Sequence, residues 1–242
     1  MKNTKVFQPV NTLLVFGFLM LAAGISRADF HVWTGAASGY WSNTNNWQGG
    51  DAPHIFETTP IYINLPSGAA HLTVTNDISY GIFGSLAVDS LIVGDNYTIY
   101  GKSGGTNIIL TGNPAPFFGI NLQNLYCTGG FIVFDGGLNL ILNNTNTITN
   151  SIGSFIYMQA TLSGSGGWTF EGLGTLDFAG VNPNTYQGPC TVLSGEVELE
   201  QFNNQYLGDY APSISSPLTI GTTNTGVPAL EHFHKSYSVT GV

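Results

Sequence analysis

GSGGWTFEGLGTLDFAGVNPNTYQGPCTVLSGEVELE (residues 164–200) is the stretch that decides the fold. Runs of strand-forming residues alternate in it with glycines, which is typical of short strands joined by sharp turns. Leu176 and Phe178 alternate with polar residues, so this strand has one apolar and one polar face. Because glycine tolerates positive φ, we expect the glycines to form the corners. The glycines are Gly164, Gly166, Gly167, Gly172, Gly174, Gly180, Gly188 and Gly195.

The chain beyond residue 28 continues this strand-and-turn pattern and shows almost no helical periodicity. Two all-β architectures accommodate it, a sandwich of antiparallel hairpins and a solenoid of stacked coils. The near-repetition of one strand–corner–strand phrase favours the solenoid. In that fold Trp168, Leu176 and Leu199 belong to the core. The asparagines are expected at stacked corners, and they are Asn143, Asn144, Asn146 and Asn150.

The N-terminus has the organisation of a secretory signal. Lys2 and Lys5 precede an apolar run over residues 13–25, and small residues follow at Ser26 and Ala28. This order predicts a cleaved signal peptide over residues 1–28, with a membrane anchor as the alternative. No other segment is apolar enough to span a bilayer, so we expect a secreted or cell-surface protein without a transmembrane segment in its mature chain.

Charge excludes two classes of partner. The whole chain carries a formal net charge of −9, and only 8% of its residues are charged. Removal of residues 1–28 would leave Lys102 and Lys235 against fourteen acidic residues, a balance of 2 − 14 = −12. Nucleic acids and anionic membranes are both bound through lysine and arginine, so neither is expected as a partner.

The stretch 164–200 resembles the autotransporter-associated β-strand repeat, a passenger repeat of bacterial surface proteins. It departs from the usual repeat at Trp168 and Glu171, at Pro189–Cys190 and around Asn182–Pro183. The resemblance implies a right-handed parallel β-helix, a solenoid wound from a single chain, that is exposed outside the cell and serves as scaffold without a reaction of its own. The structural positions of the repeat are the eight glycines above with Leu176 and Tyr186.

Three segments follow from these patterns: a signal peptide at 1–28, an aromatic cap at 29–60 and a β-helix at 61–242. The cap concentrates the aromatic residues Trp33, Tyr40, Trp41 and Trp47. One interpretation is a platform on which an extracellular glycan or another surface component binds, which requires exposed indole rings. The other is that these rings close the open end of the core, which requires burial.

Carboxylates and histidines are weaker candidates for a catalytic or metal site. Glu196, Glu198 and Glu200 share a strand face at about 6.8 Å spacing, which lies inside the roughly 6.5–9.5 Å window of inverting glycosidases. Any alternating strand gives that spacing, so a solvated acidic row is the simpler interpretation. His232 and His234 also share a face, but a metal site normally needs three or four ligands. We expect no catalytic residue, metal or cofactor, with a polysaccharide-active β-helix enzyme as a remote alternative.

The spacing of the two cysteines predicts whether they can form a disulfide, once a coil length is assumed. Cys127 and Cys190 are 190 − 127 = 63 positions apart, which is about three coils of roughly 20 residues each. Three coils separate two Cα atoms by about 14 Å, beyond the reach of a disulfide. The sequence therefore predicts two free thiols within a secreted, adhesin-like scaffold.

Overall fold

The computed structural model describes residues 29–57, 60–78, 84–102, 106–112, 124–180, 182 and 184–200, and the backbone of 218–220 and 229–234. It is an all-β solenoid of about five turns with about 4% helix, which confirms the predicted fold class. The general preference of parallel crossover connections predicts a right-handed winding. The predicted signal peptide at 1–28 lies outside the described residues.

Short parallel strands build the coils, with two 3₁₀ helices (Thr44–Asn46 and Gln48–Gly50) in the first connection. The strands are β1 (Asp29–Val32), β2 (Ile61–Leu65), β3 (Thr73–Asn76), β4 (Leu86–Val88), β5 (Ser90–Val93), β6 (Thr98–Gly101), β7 (Thr106–Leu110), β8 (Leu125–Cys127), β9 (Phe131–Phe134), β10 (Leu138–Leu142), β11 (Thr145–Asn150), β12 (Phe155–Met158), β13 (Thr161–Ser163), β14 (Gly167–Phe178), β15 (Cys190–Glu200), β16 (Leu218–Ile220) and β17 (Ala229–His234).

The strands form three parallel ladders. The first ladder stacks β1, β2, β5, β8, β11, the first halves of β14 and β15, and β16. The second stacks β3, β6, β9, β12, the second halves of β14 and β15, and β17. The third stacks β4, β7, β10 and β13. Because β14 and β15 continue across one corner, the first two ladders belong to one sheet.

The core runs along the inside of these ladders. Ile156, Leu176 and Val197 occupy successive rungs of the second ladder, in register and fully buried. Trp168 is buried as well, so the structure confirms it and Leu176 as core residues. The side chain of Leu199 lies outside the described residues. Each buried aliphatic side chain stabilises the fold by about 1.5–3 kcal/mol relative to an exposed one. Because Ile156, Leu176 and Val197 stack on successive rungs, each of these coils adds such a contribution.

Coil length changes along the chain. Hydrogen bonds between neighbouring coils span 28 residues from Ile61 to Asp89 and 35 from Asp89 to Asn124. Later bonds span 23 residues from Asn124 to Thr147 and 22 from Leu162 to Asn184. The N-terminal coils therefore carry the long connections, and the coils after residue 124 approach a minimal repeat.

The predicted role of the glycines is only partly right. Of the eight glycines in residues 164–200, only Gly164 and Gly195 have positive φ, at 103° and 81°. All the others except Gly172 are needed where backbones approach closely: a Cβ on Gly166 would overlap the Asn144 carbonyl, and one on Gly188 would overlap the backbone of Gly166 and Gly167. A Cβ on Gly172 would overlap side chains instead. Close stacking of coils, rather than turn geometry, is the main reason for these glycines.

The asparagine tract lies at the corner that precedes β11 and along that strand. Asn144 adopts a positive φ of 58°, and the buried Asn146 donates hydrogen bonds to the carbonyls of Asn143 and Asn144, both at 3.2 Å. Asn150 accepts the Gly174 N–H at 3.0 Å and donates to the Thr175 carbonyl at 3.0 Å. These amides satisfy backbone groups that the corners leave without a ladder partner, as expected for buried polar groups.

Both cysteines are free, as predicted, and both are buried. Cys127 pairs with Asn150 on β11, and two further rungs lead through β14 to Cys190 on β15, so the thiols are three coils apart. Burial raises the pKa of Cys127. Burial also raises the pKa of Cys190 from 9.0 to about 11, opposed by a hydrogen bond between its Sγ and the Tyr186 hydroxyl at 3.0 Å.

These raised pKa values predict an alkaline loss of stability. Above pH 9.0 the unfolded chain releases the Cys190 proton while the folded chain retains it, so unfolding becomes more favourable as the pH rises towards about 11. We expect the free energy of unfolding, measured by urea titration under reducing conditions, to fall over this interval and to be unaffected by this thiol below it. A Cys190→Ala variant should show a shallower decline; an equally steep one would contradict the assignment.

Candidate ligand-binding groove

Three of the four predicted ligand-binding aromatics are core residues. Trp33, Trp41 and Trp47 are all buried, and Trp47 makes T-shaped contacts with Trp33 and Trp41 at centroid distances of 5.1 and 5.9 Å. The Trp47 indole N–H donates to the Trp41 carbonyl at 2.7 Å. Buried rings offer no face to a sugar, so the glycan-platform interpretation is wrong for the three tryptophans. They instead close the N-terminal end of the core.

A buried hydrogen bond between His31 and Glu57 completes this cap. His31, on β1, has its ring Nδ1 2.9 Å from the Asp51 carbonyl and its Nε2 3.0 Å from Glu57 Oε2. A carbonyl can only accept, so Nδ1 carries a hydrogen, and the second contact shares a proton with the carboxylate. Glu57 also accepts the His54 N–H at 2.6 Å. These bonds hold residues 51–57 over the end of the solenoid. Since β1 already pairs with β2, the 29–60 segment contributes a rung as well as a cap.

Tyr40 is the one predicted aromatic that the structure exposes, with 55% of its surface accessible. The buried Asn46 holds its loop, because its amide donates to the Tyr40 carbonyl at 2.8 Å and accepts the Ala37 and Ser38 N–H groups, also at 2.8 Å. Tyr40 forms a parallel bridge to Thr75 on β3. The folding of the asparagine-rich loop thus places Tyr40 on the outer surface of the second ladder.

The next rungs extend this surface. Thr75 is in register with Tyr100 on β6, which is 37% exposed. Tyr40, Thr75 and Tyr100 therefore follow one another on three successive rungs. With about 4.8 Å per rung, the two tyrosines are about 9.6 Å apart along the axis.

A polar corner, formed by Ser42, Asp77 and Lys102, lies two residues after Tyr40, Thr75 and Tyr100. Ser42 donates to both carboxylate oxygens of Asp77, from its N–H at 2.8 Å and from its hydroxyl at 2.6 Å. Lys102 continues the next rung, with its N–H donating to the Asn76 carbonyl at 3.2 Å. Ser42, Asp77 and Lys102 thus line one groove, two positions along the chain from Tyr40, Thr75 and Tyr100.

The corner opens into a groove of about 540 Å³. This volume lies within the roughly 300–1,000 Å³ range of small-molecule sites. The cap segment forms the opposite wall through Pro53 and His54, and His54 is largely exposed. Lys102 is the only lysine or arginine among the described residues, so the groove holds the fixed positive charge of this part of an acidic chain. The lining residues are Ser42, Thr44, Ala52, Pro53, His54, Asp77, Ile78 and Lys102.

Sequence reasoning found Tyr40 but missed Tyr100, Asp77 and Lys102. Their common signal is a residue pair at positions i and i+2, repeated as Tyr40 with Ser42, Thr75 with Asp77 and Tyr100 with Lys102. The pairs are 35 and 25 residues apart (75 − 40 and 100 − 75), because the connections differ in length. Only the register shows that they lie side by side.

The predicted acidic row lies elsewhere on the second ladder. Glu196 and Glu198 are partly exposed, and Glu196 accepts a hydrogen bond from the Thr175 hydroxyl at 3.2 Å. Asp177, the rung partner of Glu198, is 1% exposed, whereas the alternation pattern places it towards solvent. Glu198 and Glu200 are in register with His232 and His234; the side chains of Glu200 and of both histidines lie outside the described residues. Among the described residues, no three potential ligands are grouped around a metal site.

A second exposed aromatic surface lies on β9 and β12. Phe131 and Phe155 stack with their ring centroids 5.3 Å apart and an angle of 15° between the planes. Tyr157 is tilted beside them, 5.8 Å from Phe131. Because the rings stack along the solenoid axis, each covers a face of its neighbour and presents mainly its edge to solvent. This geometry stiffens the sheet face and offers less ring surface than the tyrosines at the groove.

Comparison of the chain with protein-family models, with curated proteins and with solved structures finds no match. Within the described part of the chain, no helix has the length and apolar character needed to cross a membrane.

Proposed function

We propose that the protein is a secreted or surface-displayed β-solenoid scaffold, adhesin-like in role and without catalytic activity, related to the autotransporter-associated repeat passengers. The observation that carries the proposal is that coil length differs along the solenoid. Coils of 22–23 residues stack through β11, β14 and β15, whereas the long connections and the groove are concentrated in the first coils. In this proposal the short coils form a rigid support, and the first coils, with their long connections and the groove, form the surface that contacts a partner.

The few charges of the chain support this role. Stacked coils place equivalent residues about 4.8 Å apart, where like charges repel. A chain with 8% charged residues, rich in glycine, asparagine, serine and threonine, avoids that repulsion. Its negative balance also disfavours anionic cell components as unspecific partners. Carbohydrate binding remains the second candidate, now through the groove and Tyr40 rather than through the tryptophans.

Export is tested by expressing the full chain in a Gram-negative bacterium and measuring the mass of the purified product. We expect residues 1–28 to be removed, so that the mature chain begins at Asp29, and we expect it outside the cytoplasm. Leu19→Arg, which interrupts the apolar run, should block both removal and export, while Leu19→Ile should leave them unchanged. A full-length product that remains in the cytoplasm would refute the secreted scaffold.

A further inference from the structure

We propose that the groove binds a carboxylate-bearing sugar unit, such as a uronic acid residue within an extracellular glycan. This inference goes beyond the scaffold role and does not depend on how the chain is exported. It combines three features that the register brings together: two exposed tyrosines, a hydrogen-bonded carboxylate and a lysine.

The tyrosines supply the apolar contact. Tyr40 and Tyr100 are exposed on the same outer surface and are separated by the rung that carries Thr75. The faces of a pyranose ring carry several C–H groups, which pack well against an aromatic side chain, and each tyrosine hydroxyl can also bond a sugar hydroxyl. The groove of about 540 Å³, two positions along the chain from each tyrosine, has room for a sugar unit with its substituents.

The polar corner supplies hydroxyl recognition. The two hydrogen bonds from Ser42 fix the orientation of the Asp77 carboxylate. An ionised carboxylate has about four acceptor positions, so two remain for hydroxyl groups of a ligand. The Thr44 hydroxyl lines the same groove and can donate or accept. A polyhydroxylated ring matches this set of neighbouring acceptors and hydroxyls better than an apolar ligand does.

Lys102 and His54 supply the preference for a carboxylate. Both line the groove, and both are hydrogen-bond donors to an anion when protonated. Asp77 repels a second carboxylate, so the acidic group of the sugar has to lie at the Lys102 side, with its hydroxyls towards Ser42 and Asp77. The opposed charges thus orient the ligand as well as selecting it.

The test is isothermal titration of the folded protein with a glucuronic-acid-containing oligosaccharide and with the matching neutral glucose oligosaccharide, at low ionic strength. We expect the acidic probe to bind at least about tenfold more tightly, and added salt to reduce that difference. Lys102→Met should weaken the acidic probe about tenfold and leave the neutral probe unchanged. Tyr40→Ala should weaken both probes, and Phe131→Ala, an exposed aromatic away from the groove, should weaken neither.

Circular dichroism of each variant excludes loss of the fold, and these exposed positions should tolerate substitution. Equal affinity for both probes, no binding of the acidic probe at millimolar concentration, or an unchanged affinity in Lys102→Met would each overturn the proposal. None of these outcomes bears on the removal of residues 1–28, so failure of the groove and failure of the scaffold role are distinguishable.

Discussion

Replacing Trp47 by alanine is expected to lower the free energy of unfolding by about 3–5 kcal/mol. Trp47 is the central ring of the cap and contacts His31, Trp33 and Trp41. Its removal leaves a cavity at the end of the core and deprives the Trp41 carbonyl of its donor. Urea unfolding monitored by circular dichroism measures the loss, which is a large fraction of the roughly 5–15 kcal/mol that stabilises a typical domain.

Tyr40→Ala is the matched control, because Tyr40 belongs to the same segment and is exposed. This substitution should change the free energy of unfolding by no more than about 0.5 kcal/mol. If Trp47→Ala were as mild as Tyr40→Ala, Trp47 would not be the ring that closes the end of the core.

The second large effect is expected at Gly167, where replacement by alanine should lower the free energy of unfolding by about 3 kcal/mol or more. A Cβ at this position would overlap the Pro189 carbonyl and the backbone of Gly188 on the next coil. The obstructing atoms are backbone atoms of the ladder, so they cannot move aside without breaking the pairing of β14 with β15. The midpoint of thermal or urea unfolding should fall accordingly.

Gly136→Ala provides the comparison, since the nearest atom to an added Cβ there is the Gln159 carbonyl at an ordinary 3.5 Å. Its φ is not positive, so alanine should be neutral or stabilise by up to about 1 kcal/mol by restricting the unfolded chain. Equal losses at Gly136 and Gly167 would mean that backbone flexibility, rather than close approach between coils, makes these glycines necessary.

The fold could be predicted because its signals are local. Alternation at Leu176 and Phe178 gives a one-sided strand, and the interval between Cys127 and Cys190 gives three coils once a coil of roughly 20 residues is assumed. The glycine pattern located the places where coils touch but suggested the wrong cause at most of them, because a sequence does not distinguish a positive φ from a close backbone contact.

The groove could not be predicted, because it depends on the register between coils of unequal length. Ser42, Asp77 and Lys102 come together only after connections of different lengths have been closed. The tryptophans illustrate a second limit. An aromatic cluster beside asparagines fits a sugar platform and a sealed core equally well, and burial alone distinguishes them.

The stack of 22-residue coils also makes the reach of the molecule adjustable. A coil that contacts only its neighbours can be duplicated as a unit, because the two outer junctions repeat existing contacts and only the junction between the two copies is new. Each such change moves whatever the first coils present by about 4.8 Å, without altering how it is presented. Duplication of a coil would therefore change the length of the stack and leave the residues of the first coils unchanged.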